Sequence, residues 1–223
     1  MYDMVTGCQW PEFVYIECMT QISHTQWVEE LSEGAGTRDR LVAAAGEHFS
    51  KFGYDKTTLN DLAKAIGFSK TYFYRFFKSK QEIGEAICGQ VLAKIIIGIE
   101  EDIVRANSAP DKLRRMLRTV ATMGTGLFFE DRKLYEIAAI STAEHWGSHK
   151  NYTERLTEII QQILLEGREN GQIERKTPVD ETVRAIMLAM QPFIDPRVLQ
   201  YNLDHVPDGC NELVSLLLRS LAP

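Results

Sequence analysis

Between Leu62 and Gln81 the chain sets five basic residues, Lys64, Lys70, Arg75, Lys78 and Lys80, among aromatic and hydroxylic side chains, with no acid. The 31 acids of the 223-residue chain, evenly spread, would put about three in such a window. Ammonium and guanidinium groups beside tyrosines and threonines are the side chains that bind phosphate and reach base edges. Over residues 37–80 there are nine bases and four acids, a net +5. The rest of the chain carries −11, giving −6 in all; residues 1–36 alone hold six acids and no base. Charge by itself favours a solvated face, so the reading depends on how the elements present these residues.

The spacing supplies those elements. Leu41, Ala44, Ala45, His48, Phe49 and Phe52 form one apolar stripe at helical spacing, and Gly53 ends it. Thr58 and Asp61 make a variant capping box for a helix to Ile66 that carries Leu59, Leu62 and Ala63. Gly67 stops that helix and Ser69 opens a very short one, about 70–76, whose Phe73, Phe76 and Phe77 face inward. Helix, tight turn and short helix is the arrangement that lays a recognition helix in the major groove. The first turn after Ser69 reads Lys70-Thr71-Tyr72, a helix start without its own carboxylate and open to another molecule's anion. Thr71, Tyr72, Tyr74 and Arg75 then fall on its exposed side.

Residues 40–83 resemble the DNA-binding domain of the TetR (tetracycline repressor) family of bacterial regulators. The resemblance rests on Arg40, Ala44-Ala45, Phe49, Gly53-Tyr54, Thr57-Thr58, Leu62-Ala63, Gly67-Phe68-Ser69-Lys70, Tyr74, Phe77, Ser79-Lys80 and Ile83. It covers about a fifth of the chain and departs from the family pattern at Thr71, Phe76 and Gln81. The resemblance implies that Lys70, Thr71 and Tyr72 face the groove, that Thr58, Tyr74 and Lys80 meet phosphates, and that Arg75 and Lys78 complete the DNA-binding surface. It also implies an all-α protein in three parts: an N-terminal extension (1–36), a three-helix helix-turn-helix domain (37–82), and a helical effector-binding and dimerisation domain (83–223). The expected function is sequence-specific regulation of transcription by a homodimeric repressor, which releases a palindromic double-stranded operator when a small-molecule effector binds. The alternative is a helical ligand-binding or scaffold protein that keeps the helix-turn-helix without operator specificity.

A long fourth helix starts at the Ser79–Glu82 capping box. Its Ile83, Ile87, Val91, Ile95, Ile99 and Ile103 recur every four residues, so the row drifts by about 200° over its length. Such a row must change neighbours as it goes, which suits a helix tying a DNA module to a separate body. Further helices are expected at about 110–127, 131–146, 149–170, 178–191 and 209–221, with Pro192 and Pro196 interrupting before the last, and a short one at 20–33. The last two long helices carry Val183, Ile186, Met187, Met190, Leu213, Leu216, Leu217 and Leu221 for a four-helix dimer interface. Met116, Met123, Phe128, Tyr135, Trp146 and Met187 are the candidates for an effector cavity.

Little points to other chemistry. No nucleophile elbow, phosphate loop, dinucleotide fingerprint or HExxH occurs, so no enzyme is expected. His145 and His149 with Glu144 have a spacing that fits a metal, but Gly147 between them favours surface or cavity-lining histidines; neither metal nor cofactor is expected. Cys8, Cys18, Cys88 and Cys210 form no CxxC pair and read as reduced thiols. Apolar runs such as Ile95-Ile96-Ile97 are too short for a membrane span. With Arg38 the first basic residue, neither a secretory signal nor a transit peptide is expected, and the location is read as cytoplasmic.

Overall fold

The computed structural model describes residues 36–223, and among these eleven α-helices and one 3-10 turn follow one another without a strand. The expected 20–33 helix, the N-terminal extension, Cys8 and Cys18 lie outside the described residues.

The first three helices are α1 (Thr37–Phe52), α2 (Leu59–Ile66) and α3 (Lys70–Phe73). In α1 the buried residues are Leu41, Val42, Ala45, Gly46 and Phe49, while Ala44 and His48 are half-buried and Phe52 is 58% exposed. The buried arc is therefore turned by about 60° from the expected stripe. The cause is tertiary: α1 is covered by α2 and by two later helices, so Val42 and Gly46 are enclosed and Phe52 is left to stack on His48 at 4.5 Å.

The long helix α4 (Lys80–Ile103) spans about 36 Å. It is followed by α5 (Ala109–Glu130), α6 (Arg132–Ala143), α7 (Gly147–Glu169) and α8 (Val179–Ala189). Two single turns, α9 (Gln191–Ile194) and α10 (Pro196–Leu199), precede the 3-10 turn Leu203–His205 and the final helix α11 (Asp208–Ser220). Pro192 and Pro196 do not simply interrupt; each sits in the first turn of one of the short helices, where a missing N–H costs nothing. Helix α6 is shorter than the expected 131–146. It stops at Ala143 because His145 takes a left-handed φ of 55°, which turns Trp146 back into the core at 2% exposure.

The winding isoleucine row of α4 does change neighbours. Its first half meets α1, α6 and the start of α7: Gly84 lies against Tyr54 and Trp146, and Glu85 accepts the Gly147 N–H at 3.2 Å. Its second half meets α5 and the middle of α7. There Gly98 lies against Met123, Asp102 pairs with Arg115 at 3.0 Å, and Glu100 pairs with Arg155 at 2.6 Å. Around this axis α8 packs on α7, and α11 packs on α5.

At Gly84 the helix-turn-helix module and the body come into direct contact. Tyr54, from the α1–α2 loop, meets the Trp146 ring edge-on at 5.6 Å and Phe49 at 5.3 Å. A Cβ at Gly84 would sit 2.8 Å from Tyr54 Cε2 and 2.9 Å from Trp146 Cη2, and neither buried ring has room to retreat. Gly84→Ala is thus expected to cost about 1–3 kcal/mol of stability by overpacking, read as a fall in the urea midpoint at unchanged slope. An unchanged midpoint would show that the two rings are not packed against this position.

Candidate nucleic-acid interface

The turn that presents the basic residues is held by backbone chemistry. Thr58 Oγ1 accepts the Asp61 N–H at 3.2 Å, and Asp61 Oδ2 accepts the Thr58 N–H at 3.0 Å and the Thr58 hydroxyl at 2.6 Å, a complete capping box. These bonds hold the Asp61 carboxyl below its ordinary value, the side-chain bond from Thr58 contributing most. At the other end Gly67 has φ 79° and ψ 19°, its N–H bonds Lys64 O, and the Phe68 N–H reaches back to Ala63 O at 2.9 Å. This is a Schellman stop, and only glycine enters it without strain. Ser69 Oγ then accepts the Tyr72 N–H at 3.2 Å and starts α3.

Phe73 and Phe77 are fully buried and pin α3 to the module, their rings 5.6 Å apart. Phe76, expected to face inward with them, is only half-buried and meets the edge of Tyr72 at 5.3 Å. On the outer side Lys70, Thr71, Tyr74, Arg75 and Lys78 are exposed. Tyr72 is half-buried and stacks on Phe68 at 4.9 Å with 19° between the ring planes. The Arg75 guanidinium lies 5.9 Å from the centre of the Tyr72 ring, and the Lys70 ammonium 5.7 Å from that of Tyr74. Thr58 is exposed at the start of α2. Lys80 stands apart: its ammonium donates to Tyr54 O at 3.1 Å and lies 4.1 Å from the Tyr54 ring centre. It joins the start of α4 to the Tyr54 seam, with N–H capacity left for a phosphate.

Among the described residues no carboxylate pairs with Lys64, Lys70, Arg75, Lys78 or Lys80, whereas bases of the body such as Lys112, Arg115, Arg155 and Arg197 are paired. The uncompensated positive charge is thus gathered on the module, where a polyanion would release its counterions.

Inside the body, α4 to α7 and the α9–α10 turns enclose a cavity of about 30 Å³, lined by Leu92, Ile95, Val120, Tyr135, Tyr152 and Leu199 among others. A second, of about 110 Å³, shares Thr142, His149 and Ile194 with it and adds Met187, Asp195 and Arg197. Of the cavity residues expected from sequence, Tyr135 lines the first and Met187 the second. Met116, Met123, Phe128 and Trp146 line neither. Met116 and Trp146 are fully enclosed in the core, Met123 is taken up by Gly98, and Phe128 lies edge-on to Tyr135 beneath the Arg132 guanidinium. His149, read from its spacing as a surface or cavity-lining histidine, lines both cavities and His145 the second; Thr142 and Tyr152 were missed, although Tyr152, three residues after His149, shares its face of α7. Among the described residues no group of three His, Cys, Asp or Glu is placed to hold a metal, and no helix is long and apolar enough to cross a membrane.

A capped helix, a Schellman turn and a short basic helix on a three-helix module place the chain among helix-turn-helix DNA-binding proteins. Residues 41–87 match the family described as bacterial regulatory proteins, tetR family, and residues 109–213 match the tetracyclin repressor-like C-terminal domain. The chain belongs to the TetR family and is a DNA-binding transcriptional regulator. It is similar to the uncharacterized HTH-type transcriptional regulator YdgC of Bacillus subtilis, 24% identical over 194 residues, or 86% of this chain and 96% of that protein. It is also similar to the biofilm operon icaADBC negative transcriptional regulator IcaR of Staphylococcus aureus, 42% identical over 48 residues, 22% of this chain and 26% of that one. In fold it is similar to the transcriptional regulator FadR from Bacillus subtilis, solved in complex with stearoyl-CoA, at 22% identity and a TM-score of 0.58, covering 82% of this chain and 96% of that one.

Exchanging exposed Lys78 for Ala is expected to weaken binding equally on all DNA sequences and to flatten the log–log salt slope by about one. Tyr72→Ala is expected instead to change the ranking of single-base operator variants by about 1–3 kcal/mol. Anisotropy titrations at several salt concentrations check both; a Tyr72→Ala protein with an unchanged ranking would remove Tyr72 from base reading.

Proposed function

We propose that this regulator is a homodimeric repressor that leaves its operator when a small molecule occupies the body. Residues 37–82 serve as the DNA-binding domain and 83–223 as the effector-binding and dimerisation domain. Lys70, Thr71 and Tyr72 face the major groove. Thr58, Tyr74, Arg75, Lys78 and Lys80 meet the backbone.

The observation that carries the regulatory reading is the position of α6. Asp131, its N-cap, accepts hydrogen bonds from the Lys133 and Leu134 N–H groups at 3.1 and 3.0 Å, and from the Ser50 hydroxyl of α1. Lys133 lies along Gly53, and Trp146, three residues past the helix, packs on Tyr54. The inner face of the same helix supplies Tyr135, Ala138 and Thr142 to the cavity. A ligand that displaces α6 therefore acts on α1 and the Tyr54 seam without crossing a flexible link, and two heads that must match one turn of DNA lose joint engagement on a shift of a few ångströms. IcaR, 42% identical over 48 residues, is a negative regulator, and FadR, of the same fold, was solved with stearoyl-CoA; together they support repression under ligand control.

The dimer surface needs a correction. Val183, Ile186, Met190 and Leu221 are buried in the chain's own core and have nothing to offer a partner. What α8 and α11 leave outside is Leu188, 66% exposed, and Leu216, 58% exposed, with Met187, Leu213 and Leu217 half-buried. Apolar side chains so placed on the last two long helices support an isologous interface.

Wild-type protein is expected to sediment as a dimer at micromolar concentration and to silence a reporter driven by the promoter of its own gene. Leu188→Glu with Leu216→Glu is expected to yield a folded monomer with at least tenfold weaker operator binding and a derepressed reporter. A wild-type monomer would contradict the dimer, and a reporter activated by the wild type would contradict repression.

A further inference from the structure

The polar groups at the junction of the two cavities define the chemistry of an occupant. Thr142 donates its one hydroxyl proton to Ala138 O at 3.0 Å and lies 3.1 Å from His149 Nδ1. With that proton committed, the Thr142 oxygen can only accept, so the imidazole carries its hydrogen on Nδ1. Thr153 is committed in the same way: it donates to His149 O at 3.0 Å, and its oxygen is 3.5 Å from Nε2. With both hydroxyl protons so placed, His149 Nε2 is an acceptor whose contact with the Thr153 hydroxyl, at 3.5 Å, is at the limit of a hydrogen bond, on a ring that lines both cavities. Burial lowers the pKa of this histidine, with smaller contributions from Arg197 and His145 in the same direction and Asp195 against, so the neutral ring is the form present at pH 7 and above.

Tyr152, one helical turn further along α7, is 6% exposed and lines the inner cavity. Its hydroxyl has no hydrogen-bond partner among the described residues, and burial pushes its pKa upward, so it stays a phenol that can donate. On a residue that lines the cavity, that hydroxyl is available to a ligand oxygen. The one lysine or arginine lining either cavity, Arg197, is held by Asp195 through Nε at 3.0 Å and Nη2 at 2.6 Å. An anionic group drawn inside would lose its hydration and find no free cation.

We propose that the body binds a compact, uncharged molecule whose hydroxyl or N–H donates to His149 Nε2, with Tyr152 as a second polar contact and an apolar body against Leu92, Ile95, Val120 and Leu199. This rests on the reading of these cavities as the effector site and adds the ligand's chemical class to it.

Three probes of one shape separate the possibilities: 4-ethylphenol, a neutral donor; 4-ethylanisole, whose oxygen has lost its proton; and 4-ethylbenzoate, an anion. Each is titrated calorimetrically into the full chain at pH 8. The phenol is expected to bind about tenfold more tightly than the anisole, the value of one hydrogen bond at a desolvated site, and the benzoate most weakly. His149→Phe is expected to abolish the phenol-over-anisole preference while the anisole still binds. His149→Gln, which keeps an acceptor, is expected to restore part of that preference. Benzoate binding as tightly as phenol, a preference that survives in His149→Phe, or no heat from the phenol at millimolar concentration would each overturn the proposal. Operator affinity is measured separately with the phenol present. Binding with the stated preferences but no release of DNA would support the ligand chemistry and contradict the regulatory reading.

Discussion

The architecture depends on one close approach, that of Tyr54 and Trp146 over Gly84. A DNA-binding module of three short helices buries too little to be held firmly to anything else by area alone. Here it is joined to the body by two rings meeting edge-on and by the Ser50–Asp131 hydrogen bond. Each contact involves a residue at an element's boundary, where a small rotation changes its geometry most. Trp146 reaches the seam because His145 breaks the helical path after α6, and its indole N–H is then satisfied by Glu144 at 2.8 Å. The helix that caps itself against the module is also the helix that walls the cavity.

Electrostatics divides the labour in the same way. The body is acidic, and many of its bases, Lys112, Arg115, Arg155 and Arg197 among them, are spent on ion pairs, which contribute little to stability at partly exposed positions. Among the described residues Lys70, Arg75, Lys78 and Lys80 of the module have no such carboxylate partner. A polyanion approaching the protein is repelled by most of its surface and attracted to one face, which orients the encounter before any base is read.

Much of the module was legible because its signals are local. Gly67 is needed for a left-handed stop and Ser69 for the following cap, so their order fixes the turn whatever surrounds it. The drift of the α4 isoleucine row carried longer-range information, because a row that winds cannot face one partner. Features set by tertiary packing were not legible. The buried side of α1 depends on α6 covering it, so Val42 and Gly46 replaced Ala44, His48 and Phe52 in the core. Sequence favoured bulky methionines and aromatics for the cavity, and the packed core absorbed Met116 and Trp146. Of the polar residues at the cavity wall, His149 was legible as surface or cavity-lining and Tyr152 shares its helix face, whereas Thr142, on α6, joins them only once the helices are assembled. The dimer faces failed for the same reason: periodicity finds apolar residues but not whether the chain's own core has already taken them.

The reading proposed for residues 58–80 is recognition of DNA sequence and not only attraction to phosphate. The most direct measurement compares wild-type affinity for the promoter of its own gene with affinity for a scrambled duplex of equal length and composition, across a range of salt concentrations. Both affinities are expected to fall with salt while the promoter stays at least about 1,000-fold tighter at physiological ionic strength. Equal affinities that fall together with salt would leave only charge attraction and would contradict that reading.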